Sequence, residues 1–221
     1  MARVVTPTLL SLAGRVLSLH QPVRGYRFGA DSLHLVHFAH TGRTVATLAD
    51  LGAGCGVVGL ALLALGAAQE GTFVERDALQ AERCARNLDD NALSGHVYAS
   101  DVATLQAPRR CGLVVCNPPY FEAAEGRASP DPAKRLARTG ELRPFVQAAA
   151  RWGAPASRIC FVYPAATALR LFDALAAAGL HLSRLAWVHS RATEPARLVL
   201  VEARAAGRGG LRVEAPRIEL L

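Results

Sequence analysis

The 221-residue chain has no run of 18 or more apolar residues, although 51% of its residues are hydrophobic, so no stretch has the reach of a membrane-spanning helix. Met1 to Ser18 also lacks an uninterrupted apolar region ahead of a cleavage site. A cytoplasmic protein with no membrane partner is expected. Lysine is nearly absent: Lys134 stands alone, so arginine carries the excess of 25 basic over 18 acidic residues and the net charge of +7. The five cysteines, Cys55, Cys84, Cys111, Cys116 and Cys160, are odd in number and fall mostly within expected strands and helices. They read as buried thiols in a reducing compartment rather than a disulfide framework. Cys111 and Cys116 have no His or Cys pair nearby to complete a zinc site, and His34 and His37, three apart on an expected helix, lack a third ligand. No metal is expected. Internal repeats and interdomain linkers are also missing.

What is present is alternation. Apolar runs predict strands near 44–50, 71–75, 96–100, 112–116, 157–163, 182–189 and 196–203, and helices over 57–65, 77–91, 141–152 and 165–178 fill most of the gaps. Asp77 is placed to cap the second of these helices, and Gly179 closes the last. The pattern predicts an α/β fold with a doubly wound, mostly parallel seven-stranded sheet, ending in an antiparallel hairpin whose polar turn is Ser190 to Pro195. A single domain over 1–221 is expected, with an N-terminal extension over 1–43, a core over 44–204 and an unassigned tail over 205–221. The stretch 121–140 has no clear period and holds Gly126, Pro130, Pro132 and Gly140, which suits a functional loop.

Asn117-Pro118-Pro119-Tyr120 follows the apolar run Leu113 to Cys116 and so falls at a strand's carboxyl end, where open α/β sheets bind ligands. It combines a side-chain amide, carbonyls held by two prolines and an aromatic ring. An amine conjugated to a base or an acyl group is a poor nucleophile, because its lone pair is delocalised. Two acceptors, the Asn117 side-chain oxygen and a carbonyl near Pro118, can hold its two N–H bonds and turn the lone pair toward an electrophile. Tyr120 can stack on a base, an interaction worth roughly 1–3 kcal/mol.

Upstream, the strand Thr44 to Ala49 runs into Asp50-Leu51-Gly52-Ala53-Gly54-Cys55-Gly56, and an apolar helical stretch follows. Glycines at a strand-to-helix turn let backbone approach a ligand, and the helix N-terminus favours a partly anionic group. Gly54 to Gly59 also satisfies G-x-G-x-x-G with an acid, Glu75, 21 residues after Gly54, as a nicotinamide-dinucleotide site would. Asp50 argues for a different ligand: it would oppose a pyrophosphate but attract an ammonium, such as that of S-adenosylmethionine. Glu75 then suits ribose hydroxyls. Asp101 is placed either for the adenine amino group or as the cap of a turn.

These residues resemble class I S-adenosylmethionine-dependent methyltransferases that modify amino groups. Gln21 to Leu33 and His189 to Arg197 are further similar to the N- and C-terminal motifs of bacterial valine-tRNA adenine-37 N6-methyltransferases, over nearly the whole chain from about Leu17 to Ala203. The resemblance implies a Rossmann-like fold and a catalytic tetrad Asn117, Pro118, Pro119 and Tyr120. It implies cofactor contacts from Asp50, Gly52, Gly54, Glu75, Asp101 and Asn117. Asp31 is either one of these contacts or the cap of a helix over 32–39. The implied partner is the anticodon loop of a tRNA, whose unpaired base is extruded at less cost than one in a duplex.

Charge suits that partner. Arg127, Lys134, Arg135, Arg138, Arg143, Arg151 and Arg158 outnumber Asp131 and Glu141 just after the tetrad, giving either a rim that grips phosphates or a solvated basic surface. Arg127, Lys134, Arg135 and Arg138 are the candidate RNA contacts. Two rivals share the tetrad chemistry. One is the release-factor glutamine N5-methyltransferases, whose helical substrate domain does not fit the roughly 45 residues before the first core strand. The other is the rRNA guanine-N2 methyltransferases, which often end the tetrad in Phe.

Overall fold

The computed structural model describes residues 7–21, 28–119, 142–206 and 209–219. Strands β1 (Thr8–Leu12) and β2 (Arg15–Leu19) form an antiparallel hairpin, followed by α1 (Ala30–Ala39). Alternation then begins: β3 (Val45–Leu51), α2 (Val57–Ala64), β4 (Ala68–Glu75), α3 (Ala78–Asp90), β5 (Gly95–Ala99) and β6 (Cys111–Cys116). Beyond residue 141 come α4 (Leu142–Trp152), β7 (Gly153–Pro164), α5 (Ala168–Ala177), β8 (His181–His189) and β9 (Ala196–Arg204). Two two-residue strands, β10 (Arg212–Val213) and β11 (Arg217–Ile218), complete the described chain.

The main sheet runs β10-β8-β9-β7-β6-β3-β4-β5, with β11 also paired to β8. From β7 to β5 every pairing is parallel, whereas β9 lies antiparallel between β7 and β8. All seven expected strands are present, in a doubly wound α/β sheet ending in an antiparallel hairpin. Among the described residues the sheet nevertheless has nine strands, because β10 and β11 from the unassigned tail pair parallel to the outer edge of β8. Two residues are too few to display the period-2 alternation by which strands are read.

Side chains alternate between two cores, one on each face. Leu48, Leu113, Val115, Cys160 and Val162 pack with α1, α2 and α3, while Ala49, Val114, Cys116, Phe161 and Tyr163 pack with α4 and α5. All eight residues of α2 are buried, as expected of a helix enclosed between the sheet and other elements. Gly59 makes that packing possible: a Cβ there would lie 2.4 Å from Phe73 Cε1 and 3.1 Å from Asp50 Oδ2. Asp77 caps α3 as expected, accepting from the Leu79 and Gln80 N–H groups.

The β1–β2 hairpin has its own turn, Ala13 and Gly14, with positive φ at both (47° and 80°), as a tight right-twisted hairpin requires. Two asparagines hold it, Asn87 within α3 and Asn91 at its C-cap. Asn91 exchanges two hydrogen bonds with the Ser18 backbone, and Asn87 does the same with His20, so each amide acts as a short length of neighbouring strand.

Chain order reverses beside β3: β4 lies on one side of it and β6 on the other. Ligand crevices of open α/β sheets form at such a switch point, outside the carboxyl ends of the strands. Asp50 is next to last in β3, and Asn117 immediately follows β6.

Candidate active site

Beyond β3 the backbone turns through Gly52, Gly54 and Gly56, all with positive φ (75°, 57° and 89°), and enters α2. L-residues with a Cβ avoid that region. At Gly54 nothing lies within 4 Å of where a Cβ would sit; bare backbone therefore faces open space. That space is a cleft lined by this loop together with Phe28, Ser32, Asp50, Gln80 and Asn117, at the carboxyl ends of the strands where open α/β sheets bind ligands.

Two acids shape the loop. Glu75, the last residue of β4, accepts from Gly54 N–H at 2.8 Å through one carboxylate oxygen and from Asp77 N–H at 2.9 Å through the other. Asp50 lies beneath, only 2% exposed, and its Oδ2 accepts from Gly59 N–H at 2.8 Å. Burial pushes the Asp50 carboxyl up to about 7; the Gly59 hydrogen bond opposes this, and the nearby Glu75 charge adds to it. The site thus holds a buried acid that a cation would help to ionise. Cys55 supplies no nucleophile, because burial pushes its thiol up to about 11.

Asn117 lies across the crevice. Its Nδ2 donates to Asp31 Oδ2 at 3.1 Å and to Ser32 Oγ at 3.2 Å, both in the first turn of α1. The other Asp31 oxygen accepts from Ser32 N–H at 2.8 Å. Asp31 is not the cap of α1: that position belongs to Gly29, which provides no side-chain bond. The Cys116 thiol donates to Leu51 O at 3.2 Å, tying the end of β6 to the end of β3. Pro118 is buried and Pro119 half-buried just beyond.

Asp31, Asp50, Gly52, Gly54, Glu75 and Asn117 are therefore gathered at one sheet edge. Asp101 is set apart from the cleft lining: it is exposed two residues beyond β5, and its Oδ1 accepts from Ala103 N–H at 2.8 Å, so it caps a turn. Tyr120, Arg127, Lys134, Arg135 and Arg138 lie outside the described residues. Sequence patterns did not single out Ser32, Gln80 or Asn87. Ser32 adjoins a noticed acid, and Gln80 lies three residues past the Asp77 cap. Asn87 is fully buried, and besides holding His20 it donates to Cys55 O at 2.9 Å, which fastens the glycine loop to α3. A lone Asn on an amphipathic helix carries no sequence signal of that task.

The donor set fits S-adenosylmethionine: a buried acid for an ammonium, the N-terminus of α2 for a carboxylate and Glu75 for hydroxyls. Comparison with known proteins agrees in kind. The family model described as methyltransferase small domain matches residues 29–147. A ribosomal RNA small subunit methyltransferase C of Actinobacillus pleuropneumoniae is 35% identical over 121 residues, covering 52% of this chain and 36% of the relative. The chain thus spans about a third of the length of that relative. A tRNA1(Val) (adenine(37)-N6)-methyltransferase of Aeromonas hydrophila is 34% identical over 162 residues, covering 69% of this chain and 66% of the relative. Among solved structures, a predicted O-methyltransferase from Agrobacterium tumefaciens superposes with TM-score 0.66 at 24% identity, covering 85% of this chain and 86% of that one. A T. thermophilus 16S rRNA methyltransferase in complex with AdoMet and guanosine gives 0.63 at 22%, covering 90% and 50%. Both share the Rossmann-like fold.

Proposed function

The chain belongs to the methyltransferase small domain family, and from that premise we propose that it is an S-adenosylmethionine-dependent N-methyltransferase of RNA, acting on N6 of adenine 37 in a valine tRNA. The observation that carries this is the placement of Asn117 across the switch-point crevice from the Gly54 loop, with its NH2 held on α1. The amide oxygen is thereby turned away from α1 and can accept one N–H of a substrate amine. The Pro118 carbonyl, whose residue has no N–H and a fixed φ, can accept the other. Asp50 and the N-terminus of α2 hold the two charged ends of the cofactor's amino acid, and Glu75 holds its ribose. Asp101, whose side chain closes a turn, can offer its second oxygen to the adenine.

When bound, S-adenosylmethionine would supply an electrophilic methyl for the amine nitrogen, with an uncharged thioether as the leaving group and water as the acceptor of the surplus proton. No side chain need titrate for this, so rate depends on how well Asn117 and Pro118 aim the lone pair. Tyr120 is the expected stacking platform for an extruded base.

Incubating the purified protein and labelled cofactor with total tRNA, total rRNA and release factors in parallel, then mapping the product, tests the proposal. N6-methyladenosine in tRNA is expected. A second reading, guanine N2 in rRNA, is favoured by the rRNA methyltransferase relatives, and N2-methylguanosine in rRNA would replace the first. With either RNA, Asn117→Ala should lower turnover by ~100-fold or more while calorimetric affinity for S-adenosylhomocysteine stays near wild type. Wild-type turnover by that variant would remove Asn117 from the mechanism.

A further inference from the structure

We propose that Asp31 and Ser32 are positioning residues: they fix which end of the Asn117 amide faces the substrate. The proposal rests on the role given to Asn117 above and adds what makes that role work. A primary amide is nearly symmetric in shape, so packing alone does not choose between its oxygen and nitrogen; hydrogen-bond partners do. Asp31, a carboxylate that only accepts, selects nitrogen, and the Ser32 hydroxyl takes the second N–H of the amide so oriented. Asp31 Oδ2, 3.1 Å away, is a carboxylate oxygen and would repel the Asn117 oxygen if the amide turned over. Ser32 Oγ, at 3.2 Å, belongs to a residue only 2% exposed and so cannot swing out to solvent.

The carboxylate is itself anchored, because its other oxygen accepts from Ser32 N–H at 2.8 Å. Carboxylate, hydroxyl and backbone thus form one rigid acceptor at the start of α1. Asn117 sits at the end of β6, 86 residues from Asp31 along the chain. Contact between them closes the crevice between α1 and the sheet, so the N-terminal segment is part of the catalytic geometry rather than only a cover over the cofactor.

Three variants and one double variant test this. Asp31→Asn is nearly isosteric at a half-buried position and should fold. Its new amide can donate to the Asn117 oxygen and stabilise the wrong orientation. Asp31→Asn and Ser32→Ala should each lower kcat by ~10- to 100-fold, with the RNA KM and the affinity for S-adenosylhomocysteine close to wild type. In the Asn117→Ala background, Asp31→Asn should cause no further loss, since nothing remains to orient.

A second readout needs no reaction: in 15N-edited NMR the two Asn117 side-chain protons should exchange slowly in the wild type and at least tenfold faster in Asp31→Asn. Multiplicative losses in the double variant, weakened cofactor binding in Asp31→Asn, or unchanged Asn117 proton exchange would each overturn the proposal. If the wild type methylates no RNA, the parent proposal fails, and the exchange measurement still decides this one.

Discussion

At position 50 a carboxylate is buried to 2% exposure beneath the glycine loop, with burial holding its proton on to about pH 7 instead of the ordinary 3.8. An acid whose folded pKa is raised binds its proton more tightly in the folded state, so stability falls as pH rises from about 4 to about 7 and is then constant. That displacement corresponds to roughly 4 kcal/mol. Asp50→Asn keeps an acceptor for Gly59 N–H and removes the ionisation cost. It should therefore stabilise the ligand-free protein by a few kcal/mol at pH 8 and by almost nothing at pH 4, as read by urea unfolding at the two pH values. Cofactor affinity should move the opposite way, because the ammonium loses its partner, and in the wild type affinity should weaken as pH drops below 7. A variant no more stable than wild type at pH 8 would show that Asp50 is not strained in the free protein. The glycine loop, buried Asp50 and half-buried Glu75 were readable from type and spacing, because only certain residues tolerate that turn or that chemistry. What holds Asp101 and Asp31 was not: a short acid accepts from whichever group the fold brings to it, Ala103 N–H in one case and the Asn117 amide in the other.

Among elements, α1 has a structural burden at each end. Its first turn orients Asn117, while its last carbonyls, Phe38 O and Ala39 O, accept from Arg184 and Arg158. These unpaired C=O groups at a helix C-terminus favour cations, and Arg184 also stacks 3.9 Å above the Phe38 ring. Glu202, 3% exposed on β9, holds the arginines in place with ion pairs to Arg158 and Arg184 at 3.0 Å and to Arg204 at 2.8 Å. Burial alone would raise its pKa, but hydrogen bonds from Arg204 and Arg158 and the arginine charges prevail, bringing it from the ordinary 4.5 to about 2. The stabilisation is complete above pH 4.5 and is lost as pH falls toward 2. Glu202→Gln should thus destabilise by about 3 kcal/mol at pH 7, since Arg158 loses its anion and Arg184 keeps only Glu214. The gap from wild type should close near pH 2, which guanidinium unfolding across that window would show; a gap independent of pH would assign the loss to packing. Elements with several periods of alternation, β3 to β9 and their helices, could be expected from sequence. The hairpin β1–β2 could not, because the amides of Asn87 and Asn91, in and just after α3, hold it, and neither could β10 and β11, which exist only as additions to the edge of β8.

At the scale of the whole molecule, the net charge of +7 favours an acidic partner, but part of the basic excess is used inside the fold. Arg151 donates to the carbonyls of Val102 and Ala103, and Arg158 belongs to the Glu202 cluster. The basic residues left after the tetrad are Arg127, Lys134, Arg135, Arg138 and Arg143, of which Arg143 is exposed at the start of α4 and the others lie outside the described residues. If that stretch grips phosphates, changing both Arg135 and Arg138 to Ala should raise the apparent KM for RNA severalfold. It should also reduce the slope of log affinity against log salt by about 1.4, the value for two contacts to a single-stranded loop. Because the cofactor contacts are assigned to Asp50, Gly54 and Glu75, titration with S-adenosylhomocysteine should be unaffected by the same change. Titrating RNA at several salt concentrations separates two kinds of basic surface. One that counts phosphates loses slope and affinity together, whereas one that merely keeps the protein charged leaves both as they were.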